Sequence, residues 1–306
     1  MIGYLWVPQT VAGNGMALGP ILEEARRRGR LTPVAYADAL AGARIAPGPV
    51  IFADIPRLTG PTLVRSAKLW DALAGTQARP RLFNHPVRAL RRFALLRRLR
   101  AEGINGFDIW RGDERRESMR YPLFARGIND RDGPFGGMIH NREQFEAAIE
   151  NWIYRGRDPE HLLIVEFCDT KGADGLYRRY TAYVVGAQIF HWRMHVGRDW
   201  IVREPQLAEL APAHDIAALV AEERAFAADD AHIEALRRTA GIAKLGVGRI
   251  DYAIANGRIA VWEINWSPLV HEQPPPADDP QFEWFMQDRM PKLRAAVDAL
   301  EATVPV

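Results

Sequence analysis

One stretch constrains this chain more than any other: Gly246 to Pro268, GVGRIDYAIANGRIAVWEINWSP. Ile250, Tyr252 and Ile254 alternate with Arg249, Asp251 and Ala253, and after Asn256-Gly257 a second alternating run follows. Period-two patterning around Asn-Gly predicts a β-hairpin, because Asn and Gly both tolerate positive φ. One face is apolar and aromatic; the other carries Asp251, Glu263 and Asn265. Register decides whether these three meet. A two-residue Asn-Gly loop sets Asp251 opposite Trp262 and sends Asp251 and Glu263 to opposite faces. A three-residue loop with a glycine bulge shifts the pairing by one and gathers all three on one face, leaving Tyr252, Trp262 and Ile264 buried on the other. The three-residue loop is the expectation here. Three oxygen donors without sulfur or imidazole suit Mg²⁺ or Mn²⁺ with phosphate oxygens completing the shell. On spacing alone an amphipathic hairpin with a solvated acidic face stays open as a reading.

The rest of the chain is ordinary for a globular protein of two or three domains, with 306 residues, 48% hydrophobic and 25% charged. A formal net charge of +2 gives no reason to expect nucleic acid. No apolar run is long enough to cross a bilayer, so no membrane is expected. The amino terminus shows no basic n-region or long apolar core, and Cys168 is the single cysteine. Together these predict a cytoplasmic protein without an internal disulfide. Positive charge is nearly all arginine, the lysines being Lys68, Lys171, Lys244 and Lys292 alone.

Residues 1–85 alternate short apolar strands (Ile2 to Val7, Val50 to Ala53) with helical patterns such as Pro61 to Leu73. That alternation predicts a small, largely parallel α/β unit. A glycine turn, Gly13-Asn-Gly15-x-x-x-Gly19, follows the first strand. It reads as a tight βα turn or as a weak dinucleotide fingerprint. Val87 to Glu102 is a basic helix, and a solvated face is its plain reading. Asn141 caps a helix from Arg142 to Trp152. Leu162 to Phe167, LLIVEF, is a buried strand by its continuous apolar run. His214 to Ala227, Ala231 to Lys244 and Phe282 to Glu301 read as helices.

The set Asp251, Glu263-x-Asn265, then Pro268, resembles the metal-binding end of the ATP-grasp superfamily, in its glutathione-synthetase and ribosomal-protein glutamate-ligase branch. The resemblance spans roughly Pro86 to Pro268. It implies an α/β (α+β) ATP-grasp fold behind an amino-terminal Rossmann-like domain, divided as 1–85, 86–160 and 161–306. It implies that Asp251, Glu263 and Asn265 hold Mg²⁺ on ATP. Arg92 and Arg126 stand where relatives keep nucleotide-contacting lysines, and Asn105 replaces a proline. Asn129 to Gly137 matches a glycine-rich phosphate flap. Glu166, Phe167 and Cys168 match the hinge that meets the adenine edge, and Arg193 is the candidate phosphate or acyl-phosphate contact. Arg178 and Arg179 stand where many relatives keep a ribose-binding acid, with Asp174 as a substitute.

The activity so implied is an ADP-forming ligase joining a carboxylate to an amine or thiol, with ATP and a small-molecule or peptide substrate as partners. A homodimer is compatible with this reading. Two alternatives remain: an ATP-binding module without ligase activity, because both lysines appear as arginine, and a nicotinamide-dependent oxidoreductase using the Gly13/Gly15 turn.

Overall fold

The computed structural model describes residues 1–7, 20–45, 48–76, 81–114, 118–129, 133–202, 207–268 and 274–300. The glycine turn of Gly13 to Gly19 lies outside these, as do residues 130–132 of the expected flap. Among the described residues three four-stranded sheets follow one another along the chain. The first is parallel, ordered β2-β1-β3-β4, from β1 (Ile2–Trp6), β2 (Leu31–Ala35), β3 (Val50–Phe52) and β4 (Leu82–Phe83). Helices α1 (Pro20–Arg27), α2 (Tyr36–Leu40) and α3 (Gly60–Thr76) connect its strands. Leu63, Leu69, Trp70 and Leu73 of α3 pack on Phe52 and its neighbours.

The second sheet is antiparallel, ordered β5-β8-β6-β7, from β5 (Ile109–Arg111), β6 (Leu123–Gly127), β7 (Pro134–Ile139) and β8 (Leu162–Glu166). It is flanked in sequence by α4 (Arg92–Ala101) and contains α5 (Arg142–Tyr154), whose first turn is capped by Asn141 Oδ1 accepting from Gln144 N at 2.9 Å. Strand β8 pairs with β5 and β6, so this sheet includes Leu162–Glu166. Helix α4 also starts later than expected. His85 Nδ1 accepts from the backbone of Val87 and Arg88, Leu90 N donates to Ala243 O, and Arg91 donates to the carbonyls of Ile55 and Leu58. Those contacts hold 85–91 as a turn and delay the helix to Arg92.

The third sheet, ordered β10-β9-β11-β12, is antiparallel: β9 (Tyr177–Val185), β10 (Gln188–Gly197), β11 (Val247–Ala255) and β12 (Arg258–Asn265). Between β10 and β11 run α6 (Leu207–Leu210), α7 (Ile216–Ala228) and α8 (Ile233–Ala243). One face of the sheet, with Tyr180, Ala182, Ile250, Tyr252 and Ile264, joins the largest core cluster with Leu219, Leu236 and Ala240. Tyr183, Phe190, Trp192 and Val247 form a second cluster with Ile2, Tyr4 and Ile51 of the first sheet. The closing helix fills that cluster with Phe285, Leu293 and Val297. It enters through a π-helical turn, Phe285–Arg289, before Met290–Ala299.

Two residues just beyond strands of the first sheet bond to the ends of the β11–β12 hairpin, one through its side chain and one through its backbone. Asn84 (φ 66°) donates from Nδ2 to Val247 O at 2.7 Å and accepts the N–H groups of Gly246 and Val247 at 2.9 and 3.0 Å. Asp54 (φ 52°) donates its backbone N–H to Ser267 Oγ at 2.9 Å, while its Oδ2 accepts from Val7 N at 3.0 Å. Left-handed backbone at two non-glycine residues is uncommon and is held here by these bonds.

Candidate nucleotide and metal site

The hairpin turn is Asn256-Gly257 with φ of 51° and 73°, and Ala255 stands opposite Arg258. This is the two-residue turn, so the expected three-residue loop is corrected. The ladder runs regularly to Tyr252 opposite Val261, then slips: Asp251 pairs with Glu263, Ile250 with Ile264 and Arg249 with Asn265. Trp262 is the extra residue of a β-bulge. The bulge supplies the one-residue shift that the turn does not, so Asp251, Glu263, Arg249 and Asn265 share a face. Trp262 therefore leaves the layer of Tyr252 and Ile264, contrary to expectation, and stacks on Phe107 with ring centroids 4.9 Å apart and planes at 19°. Asn105 holds the bulge. Its Nδ2 donates to Val261 O and its Oδ1 accepts Val261 N–H, so one amide replaces a neighbouring strand.

A single row crosses the sheet from Arg193 through Thr181 and Asp251 to Glu263. Asp251 is buried, 4% exposed, and Arg249 grips it with Nε at 2.9 Å and Nη2 at 3.2 Å. Arg92, the first residue of α4, reaches Glu263 with Nη2 at 2.5 Å and Ile128 O with Nη1 at 3.0 Å. Arg126 on β6 reaches the same Glu263 oxygen at 3.3 Å. Burial alone would raise the Glu263 carboxyl; the Arg92, Arg126 and Arg249 guanidinium groups outweigh it and hold the carboxyl below its usual value.

Asp251 and Glu263 open on a cavity of about 380 Å³. Phe124, Phe167, Trp200 and Trp262 form its apolar wall, with Trp200 5.1 Å from Phe124 and 5.7 Å from Phe167 between ring centroids. Arg126, Arg178 and Arg179 also line it and supply its positive charge. Gly133 and Pro134 reach the rim because Pro134 pairs with Arg126 in the β6–β7 hairpin, which is the described part of the expected flap. Flat aromatic walls beside clustered guanidinium groups suit a base at one end and phosphates at the other.

The structure brings Arg92, Arg126, Asp251, Glu263 and Asn265 together and sets Phe167 and Cys168 in the cavity wall. Glu166 departs from expectation. Its carboxylate accepts from Asp108 N at 2.9 Å, Arg120 N at 3.1 Å and the Arg120 guanidinium, and it lines a different cavity of about 390 Å³. Arg193 departs too. It lies 4% exposed in an ion pair with Glu223 at 3.0 Å, over the Phe285 ring, and does not line the 380 Å³ cavity. The ribose substitute Asp174 is taken by Arg178, at 2.7 Å. Arg249 was given no role by sequence reading, and Arg179 was read only as standing in place of a ribose-binding acid. Arg249 was legible as the residue two before Asp251, hence on its face.

Among the described residues no group of three or more His, Cys, Asp or Glu side chains could hold a metal ion. The donor set still fits Mg²⁺, which takes one or two carboxylates and leaves its other positions to phosphates and water. Two acids opposed in register, with the Asn265 amide beside them and a cation-lined cavity in front, are such a partial shell.

No protein-family model matches the sequence, and no curated protein matches it. Solved structures do match in fold. D-alanine–D-alanine ligase from Bacillus anthracis, complexed with ATP, is 11% identical with a TM-score of 0.54, over 98% of this chain and 96% of that one. A RimK domain ATP-grasp protein from Sphaerobacter thermophilus is 13% identical with a TM-score of 0.51, over 99% and 100%. The macrocyclase MdnC from Microcystis aeruginosa, bound with precursor peptide MdnA, is 11% identical with a TM-score of 0.51, over 98% and 99%. The fold of this chain is the ATP-grasp fold, mixed helix and sheet, preceded by a parallel α/β sheet.

Proposed function

We propose that the chain is a Mg²⁺- and ATP-dependent, ADP-forming ligase that activates a carboxylate and transfers it to an amine or thiol. The observation that carries this is the meeting of Asp251 and Glu263 with Arg92 and Arg126 at the mouth of an aromatic-walled cavity. In this reading the substrate carboxylate oxygen attacks the γ-phosphorus and ADP leaves; the amine or thiol then attacks the acyl carbon and inorganic phosphate leaves with the bonding electrons. The metal, when bound by Asp251, Glu263 and Asn265, supplies neutralisation of phosphate charge. Arg126 and Arg179 orient phosphate oxygens through their forks, and Phe124, Phe167 and Trp262 exclude water from the base end. Among the described residues no helix is long and apolar enough to cross a membrane, and we read the protein as cytoplasmic.

A second reading is a nucleotide-binding module without ligase activity. Burial of Arg193 against Glu223, away from the cavity, favours it. ADP release measured against panels of amino acids, peptides and small carboxylic acids separates the two: acceptor-dependent release supports the ligase. Arg126→Ala should weaken nucleotide binding by about 1.5–3 kcal/mol, the scale of a charged hydrogen bond. Calorimetry showing parent-like affinity in that variant would remove the cavity from nucleotide binding.

A further inference from the structure

Both acids of the hairpin are already engaged. Arg92 and Arg126 share one oxygen of Glu263, at 2.5 and 3.3 Å, and Arg249 takes both oxygens of Asp251. Among the described residues the guanidinium groups of Arg92, Arg126 and Arg249 stand directly against these two carboxylates. The arginine side chains are only 13–18% exposed, so solvent screens these pairs weakly. A hydrated divalent cation approaching Glu263 Oε2 or Asp251 therefore meets guanidinium groups already paired there. A triphosphate meets the reverse, and guanidinium forks pair with phosphate as they do with carboxylate.

Resting on the Mg-ATP reading above, we infer that Arg92 and Arg126 keep metal off Glu263 until nucleotide phosphates draw them away, making metal binding conditional on nucleotide. The change is an exchange of ionic partners. The carboxylate–guanidinium pairs open, phosphate–guanidinium pairs form, and the released carboxylate takes the cation; no covalent bond changes. Without nucleotide the site would collect little metal, and Glu263 would become available to a cation only once phosphates have taken its two arginines.

Equilibrium dialysis with radioactive Mn²⁺, with and without a labelled non-hydrolysable ATP analogue, tests this. The parent should retain little Mn²⁺ alone and gain at least about tenfold in apparent affinity with the analogue. R92Q/R126Q, checked for folding by circular dichroism, should bind Mn²⁺ alone at least about tenfold more tightly than the parent. R92K/R126K keeps both charges and should remain nucleotide-dependent. Parent protein that holds Mn²⁺ equally well without the analogue overturns the inference whether or not the variants fold. A folded glutamine pair that gains nothing, or a lysine pair that behaves like it, overturns it as well. In those cases retained analogue would leave the Mg-ATP reading standing; a parent that retains no analogue at all removes that reading itself.

Discussion

The carboxamide of Asn105 closes on both backbone groups of Val261, donating to its carbonyl at 3.0 Å and accepting its N–H at 2.8 Å. Val261 lies on β12, the edge strand, immediately before the bulged Trp262. Asn105 is 1% exposed, so Asn105→Ala strands two backbone groups where water reaches them poorly. The cost should be about 2–3 kcal/mol in urea unfolding. Metal-dependent nucleotide binding should also fall, because the bulge sets Glu263 opposite Asp251. Parent-like stability would show that the bulge holds itself.

Glu263→Gln should fold, since the side chain is 30% exposed and the shape is kept. It should lose metal-enhanced nucleotide binding. Metal-free nucleotide should bind at least as well as to the parent, because Arg92 and Arg126 lose their competing carboxylate. Titration calorimetry with the nucleotide in EDTA and then in Mg²⁺ reads both effects. Unchanged Mg²⁺ enhancement would take Glu263 out of the metal site.

Arg193→Met should damage stability and spare nucleotide affinity. The Arg193 and Glu223 side chains are 5% and 1% exposed, and breaking such a pair from one side costs about 3–5 kcal/mol. Burial raises the Glu223 carboxyl despite the opposing pull of Arg193. An acid with a raised folded value favours the folded state below its unfolded value, about 4.3. That stability is lost as pH rises through the folded value. Without Arg193 the folded value rises further, so the variant should lose stability over a wider range of rising pH. Thermal melts across pH check the sign; a loss of nucleotide affinity in folded variant would return Arg193 to the site.

Cys168, the only cysteine, reports on the cavity wall. Burial, with the nearby Asp169 carboxylate, pushes its thiol up. Alkylation should therefore be slow at neutral pH, rise only at alkaline pH, and slow further with Mg-ATP. Equal rates with and without nucleotide would remove Cys168 from the binding surface.

The acids of the site were legible because alternation places residues two apart on one face. Their means of convergence was not. The convergence was expected from a three-residue loop, whereas Asn-Gly makes a two-residue turn and the shift comes from a bulge at Trp262, which has no residue signature and depends on Asn105, distant in sequence. Arg92 and Arg126 could be placed by resemblance, whereas their pairing with Glu263 is a tertiary fact. The partners of Glu166 and Arg193 were not legible, because an acid at a strand end or an arginine on a strand does not reveal which neighbour neutralises it; Arg120 and Glu223 do so here. The parallel first sheet followed from alternating element types, and its hold on the hairpin through Asn84 and Asp54 did not.

That hold bears on modularity. Asn84 caps the entrance of the hairpin and Asp54 meets its exit at Ser267, so the first sheet supplies hydrogen bonds that the strands carrying the acids lack by themselves. Exchanging this leading unit for another of the same outline would be inherited safely only if the newcomer brought an amide and a backbone donor at the same two points. The amino-terminal sheet is thus a component of the hairpin's construction, and recombination at residue 85 would cut through a functional unit, not between two.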